Sequence, residues 1–282
     1  MRRRSLLLKL GAAGAVGSAG VAATLVGDIE VRWWATPKAA QHSGLRRRVE
    51  AYLEHGFDDG RLSMDVSYGG VTSFPTENAY RLVTGGAWPR RLLSSVTDGT
   101  VDPVDGVNLL VTDSSMRRAP TGAGIPYVAA VGGARHIVRA PDPDESDAVV
   151  PDRLSTRTVQ ILLHECGHAL GLRHDHGSIR EADTAAVVSP MVSGYAWASG
   201  PVRREQFDFE ANRCGRPYPP VNGRDPRLLM QFDDCERRGL YRYRLPDLSA
   251  TPVDRPSVGD LLDRASLSAC GTCTHLARLS ER

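Results

Sequence analysis

The sequence predicts an α+β fold, on three observations. Short runs rich in β-branched and aromatic residues read as strands: Ile29 to Ala35, Met64 to Tyr68, Val107 to Val111 and Ile125 to Val138. Between them lie segments whose apolar residues recur at helical spacing. After Pro151 a longer helical pattern begins, with Val159, Leu162, Leu163, Cys166, Ala169 and Leu170 on one arc at about 100° per residue. A chain of 282 residues with 41% apolar and 24% charged content is large enough for one globular domain with an appendage.

Residues 1–27 read as an export signal. Arg2, Arg3 and Arg4 precede a mildly apolar run from Leu10 to Gly27, the charge pattern of a secretory segment. The paired arginines followed by Lys9 resemble a twin-arginine signal, which exports a folded protein. An uncleaved membrane anchor is the competing reading. Gly11, Gly14, Gly17 and Gly20 would make a weak spanning helix, so cleavage and secretion are favoured. Setting aside Arg2, Arg3, Arg4 and Lys9 turns the net charge of +2 into −2. No basic stripe interleaved with aromatics is present, which argues against a nucleic-acid partner.

The strand at Ile29 is expected to lead into a helix from Ala39 to His55, with Leu45, Val49 and Leu53 on one face and Arg46 to Arg48 in solvent. The next strand is expected to end at Gly69-Gly70, and further helices are read over Glu77 to Val83 and Arg90 to Val96. Ile125 to Val138 reads as one or two strands broken by Gly132-Gly133. The acidic segment from Ala140 to Pro151 reads as a solvated connection, because it lacks the alternating ligands and Gly turn of a calcium loop.

Residues 164–175 read HECGHALGLRHD. His164 and His168, four apart, lie about 40° apart around a helix, so both imidazoles can reach one ion. Glu165, beside the first, can contact a water bound to that ion. The helix must then stop for a third ligand to swing back, and Gly171 provides the left-handed residue that ends a helix at little steric cost. His174 follows as the third ligand. Three neutral imidazoles leave a fourth position for water, the requirement of a catalytic zinc site. Cys166 points roughly 180° from the bisector of the two helical histidines, into the core, and reads as a buried free thiol.

His164-Glu165-x-x-His168-x-x-Gly171-x-x-His174 resembles the metzincin clan of zinc peptidases at every defined position. The segment Ser189 to Tyr195 is similar to that clan's Met-turn, with Met191 17 residues beyond His174. The resemblance covers residues 28 to 212 and implies a zincin-like fold. An upper subdomain (28–174) would hold a twisted mixed sheet and the active-site helix. A smaller lower subdomain (175–212) would hold the Met-turn and a helix near Arg203 to Arg213. It further implies Met191 as a soft floor beneath the ligands, and a substrate-aligning edge strand within Ile125 to Ala134. Asp175 matches the adamalysin-like pattern, in which that residue supports the turn, but the family within the clan is left open. Tyr195 stands four residues after Met191, not the two of astacin-like and serralysin-like members, and reads as a surface or pocket-wall aromatic, with a substrate or oxyanion role as the alternative.

The implied activity is that of a secreted, monomeric zinc endopeptidase acting on polypeptides through a zinc-bound water activated by Glu165. Two alternatives stand beside it: another zinc-dependent amide hydrolase, and a non-enzymatic secreted interaction protein on the same scaffold. No cysteine precedes Cys166, which excludes a pro-segment cysteine masking the metal; a C-terminal tail across the cleft is one candidate for latency. The Pro/Gly-rich stretch Arg216 to Pro226 reads as a boundary, leaving 213–282 as an extension of unassigned role. Cys214, Cys235, Cys270 and Cys273 favour two disulfides over a four-cysteine zinc site.

Overall fold

A computed structural model of the chain describes residues 29–58 and 64–244. Residues 1–27, which the sequence suggests are an export signal, and Cys270 and Cys273 lie outside the described residues, as does the helix expected after Ser257. In chain order the elements are β1 (Ile29–Ala35), α1 (Pro37–Ala40), α2 (Leu45–Phe57), β2 (Met64–Val71), α3 (Ala79–Thr84), α4 (Ala87–Asp98), β3 (Val107–Val111), β4 (Gly122–Ile125), β5 (Val128–Val131) and α5 (Ala134–Ile137). They continue with β6 (Val149–Pro151), α6 (Leu154–Ala169), β7 (Ile179–Ala182), β8 (Ala185–Val188), α7 (Gly200–Gln206), β9 (Asp225–Leu229) and α8 (Asp234–Arg244). Among them, no helix is long and apolar enough to cross a membrane.

The strands form two mixed sheets, ordered β2-β1-β3-β5-β4 and β6-β9-β8-β7. In the first, β2, β1, β3 and β5 run parallel and β4 closes the edge antiparallel to β5. Parallel strands are buried on both faces, and β3 and β5 accordingly are buried at every position, apolar except for Asn108, whose side chain bonds to the Val104 backbone. Successive side chains point to opposite faces, so Trp33 enters a core with Val49, Leu53, Leu162 and Leu163, while Trp34 enters a second core with Leu82, Val83 and Trp88. The sheet is thus covered on both faces, by α2 and α6 on one and α3 and α4 on the other. The expected mixed sheet and histidine-bearing helix are thus present in a mixed α/β arrangement, with a second mixed sheet beside the first.

Several expected boundaries move for local reasons. The helix expected over 39–55 is split by Gly44, whose φ of 81° interrupts it between α1 and α2. Gly69-Gly70 does not end β2; the register with β1 shifts there as a bulge, and a side chain at Gly69 would run into the Trp34 ring. Gly132-Gly133 ends β5, and the chain turns into α5 instead of a further strand. The helix expected at Arg203–Arg213 is α7, which has already ended at Gln206. The acidic connection contributes Asp142 to Arg47 and Arg48 at 2.8 and 3.1 Å, then enters β6.

The boundary expected at residue 213 is not a boundary of the fold. The chain beyond it supplies β9, the inner strand joining β6 to β8. Gln160, fully buried on α6, donates from Nε2 to the carbonyls of Val188 and Leu229, both at 3.0 Å. The second sheet is thereby tied to the helix that carries the histidines.

Candidate metal centre

α6 presents Val159, Leu162, Leu163, Cys166 and Ala169 to the core, each with no exposed surface. Cys166 is a free thiol in that core, its pKa pushed up by burial. The opposite face carries His164, Glu165 and His168. The helix ends in a Schellman arrangement: Leu172 N–H donates to Gly167 O and Gly171 N–H to His168 O, both at 2.9 Å. That geometry needs a left-handed residue, and Gly171 has φ 82°. The reversal carries His174 back over the helix.

Each imidazole is held from behind by a backbone carbonyl. Nδ1 of His164 meets Pro190 O, Nδ1 of His168 meets Leu172 O, and Nδ1 of His174 meets Gln206 O, all at 2.8 Å. A carbonyl only accepts, so each Nδ1 bears the proton and each Nε2 is left with a bare lone pair. The Nε2 atom of His168 lies 3.0 Å from that of His164 and 3.1 Å from that of His174. Three lone pairs so close, with no proton between them, repel unless a cation sits among them. Tetrahedral nitrogens around zinc stand about 3.3 Å apart, close to this spacing. These three histidines form a group that could hold a metal ion. Burial and the neighbouring His168 and His174 keep His164 well below the usual imidazole range, and burial lowers His174; both favour the neutral, ligating form.

Glu165 is buried beside this set, and burial pushes its pKa up to about 8. Its carboxylate lies against the edge strand: a Cβ added at Gly122 would come 2.8 Å from Glu165 Oε1, and one at Gly124 would come 2.7 Å from His168 Cβ. The two glycines let β4 lie directly on the turn of α6 that carries Glu165 and His168. The edge strand expected within Ile125–Ala134 is therefore Gly122–Ile125, and β5 is internal. A cavity of about 400 Å³ opens alongside, lined by Gly122, Ile161, His164, Glu165, Tyr195 and Trp197.

Met191 is fully buried, and a Cβ on Gly167 would meet its sulfur at 2.5 Å, which places the thioether directly under α6. The Tyr195 ring centroid stands 4.7 Å from that of His174 and 5.8 Å from that of His164. His176 is outside the converging set; its Nδ1 accepts from Arg173 N–H at 3.0 Å. Asp175 ties the turn to the chain after α7: its carbonyl accepts Arg213 N–H and its carboxylate Arg213 Nε, both at 2.8 Å. The adjacent Cys214 is disulfide-bonded to Cys235, so that pair is not available to a four-cysteine zinc site.

Sequence reasoning missed the three carbonyls at Leu172, Pro190 and Gln206, because a backbone acceptor leaves no mark in residue type. It also missed Glu236, although Asp233 and Glu236 have the spacing of a helix N-terminal capping box.

No protein-family model matches the chain. Among solved structures it is similar to the archaemetzincin of Methanopyrus kandleri, at 19% identity over 77% of this chain and 95% of that one, with a TM-score of 0.38. It is also similar to a zinc-dependent peptidase from Methanocorpusculum labreanum, at 19% identity over 51% of this chain and 82% of that one, with a TM-score of 0.28.

Proposed function

We propose that the chain is a secreted zinc-dependent endopeptidase. The observation that carries this reading is the convergence of three carbonyl-tethered imidazoles beside the buried Glu165 carboxylate, against a sheet-edge strand. A set of neutral imidazoles with no thiolate suits zinc in its catalytic form. Bound there, zinc would supply Lewis acidity to the peptide carbonyl and make water a nucleophile at neutral pH. Glu165 takes the proton from the attacking water and delivers it to the leaving amine; its burial favours holding that proton between the two transfers. β4, last in its sheet, offers backbone donors and acceptors to an extended peptide, which favours polypeptides over small amides. Met191 supports the ligands from below and Tyr195 walls the cavity. The Cys214–Cys235 disulfide and the arginine-led N-terminal segment support an exported protein.

The test is zinc content measured together with chelator-sensitive cleavage of unfolded casein. Glu165→Ala is expected to retain one zinc per chain and lose cleavage by about 10²–10⁴-fold. Full cleavage by that variant would remove the role given to Glu165. Stoichiometric zinc in a wild-type chain that cleaves nothing would favour a non-enzymatic interaction protein.

A further inference from the structure

We propose that Glu236, in the segment beyond the Met-turn, is a positioning residue for the metal centre, acting on His164 through residues 189–191. The inference rests on the metal-site reading above. Glu236 has no exposed surface. One carboxylate oxygen, Oε2, accepts Asp233 N–H at 2.7 Å, while Asp233 Oδ1 accepts Glu236 N–H at 2.9 Å, the reciprocal pair of a capping box at the start of α8. A cap needs only that oxygen. The other, Oε1, reaches out of the helix to accept the Ser189 hydroxyl and Met191 N–H, each at 2.7 Å.

Between those two anchors stands Pro190, whose carbonyl accepts His164 Nδ1 at 2.8 Å. That carbonyl shares one planar peptide unit with Met191 N–H, so its direction is set by what holds Met191 N–H on one side and Ser189 on the other. A single carboxylate oxygen grips both of them and so sets the direction of the Pro190 carbonyl. Ser189 is held from its other side, its hydroxyl oxygen accepting Ser178 N–H at 2.8 Å. The chain of contacts runs from α8 through the turn to a metal ligand. Groups that orient a ligating imidazole in this way set metal affinity as well as shape. The next residue back, Cys235, is bonded to Cys214, so the disulfide holds the start of α8 in place for this contact.

Cobalt(II) titration of the metal-free chain, read by its visible absorption and by circular dichroism, tests the idea. Glu236→Ala is expected to fold, bind cobalt about tenfold or more weakly, and show an altered visible band, because the His164 ring is no longer fixed. A folded Glu236→Ala with wild-type affinity and band overturns the proposal, since a purely structural role would lower thermal stability and leave both unchanged. If Glu236→Ala does not fold, Ser189→Ala, which removes one of the two anchors, is read the same way: a shifted band supports the proposal and an unchanged band overturns it. A wild-type chain that takes up no cobalt refutes the metal site itself, and the proposal with it.

Discussion

Two glycines decide how close the edge strand can come to the histidine-bearing turn of α6. Gly122-Ala123-Gly124 lies ahead of the segment in which the edge strand was expected. In the fold, a side chain at position 124 would collide with the Glu165 backbone and with His168 Cβ. Gly124→Ala is therefore expected to keep its zinc but push β4 away from α6. Displacement on the order of 1 Å from a reacting geometry costs about 10²-fold in rate. Steady-state kinetics on an extended peptide would show it as a fall in kcat/KM at unchanged zinc content; wild-type kinetics would mean that β4 does not align substrate. The histidines and Glu165 were legible as residues because spacing on a helix follows from helical geometry alone. The carbonyl acceptors were not, since any residue can supply one.

Elements were legible where burial writes a periodicity. β1, β3 and the core arc of α6 fall at or close to the expected positions because their apolar patterns are strong. The edge strand was misplaced for the same reason: Val128–Val131 is the apolar run, and it is the buried inner strand, whereas the true edge is short and built of small residues. The Cys214–Cys235 disulfide, closing a separation of 21 residues, links the chain after α7 to the start of α8. Replacing both cysteines by serine is expected to cost about 2–4 kcal/mol of unfolding free energy. Urea denaturation would measure it, and an unchanged midpoint would show that packing alone holds α8.

For the whole molecule, the decisive fact is that residues beyond 212 are part of the folded unit. β9 lies inside the second sheet, Glu236 is buried and accepts Met191 N–H, and Gln160 bonds to the carbonyl of Leu229. Deleting residues 216–282 is therefore expected to unfold the protein, not to uncover an active cleft, because it removes an inner strand and a core helix. A soluble, cooperatively melting product of that deletion would contradict this. Deleting only 245–282 leaves every described element in place and is the proper test of a tail that covers the cleft. On that hypothesis the shorter deletion raises casein cleavage, and equal or lower cleavage argues against it.

The sequence by itself determined the candidate ligands, the candidate base and the helix that carries them, because a three-histidine pattern interrupted by Gly171 is a local consequence of helical pitch and of where a helix can end. Only the tertiary structure decided what turns the three Nε2 atoms toward one another, which strand borders Glu165, and that a carboxylate 45 residues beyond Met191 grips the turn beneath the site. Those contacts join positions far apart in the chain. Their partners are backbone groups or small residues, whose role is set by where packing places them.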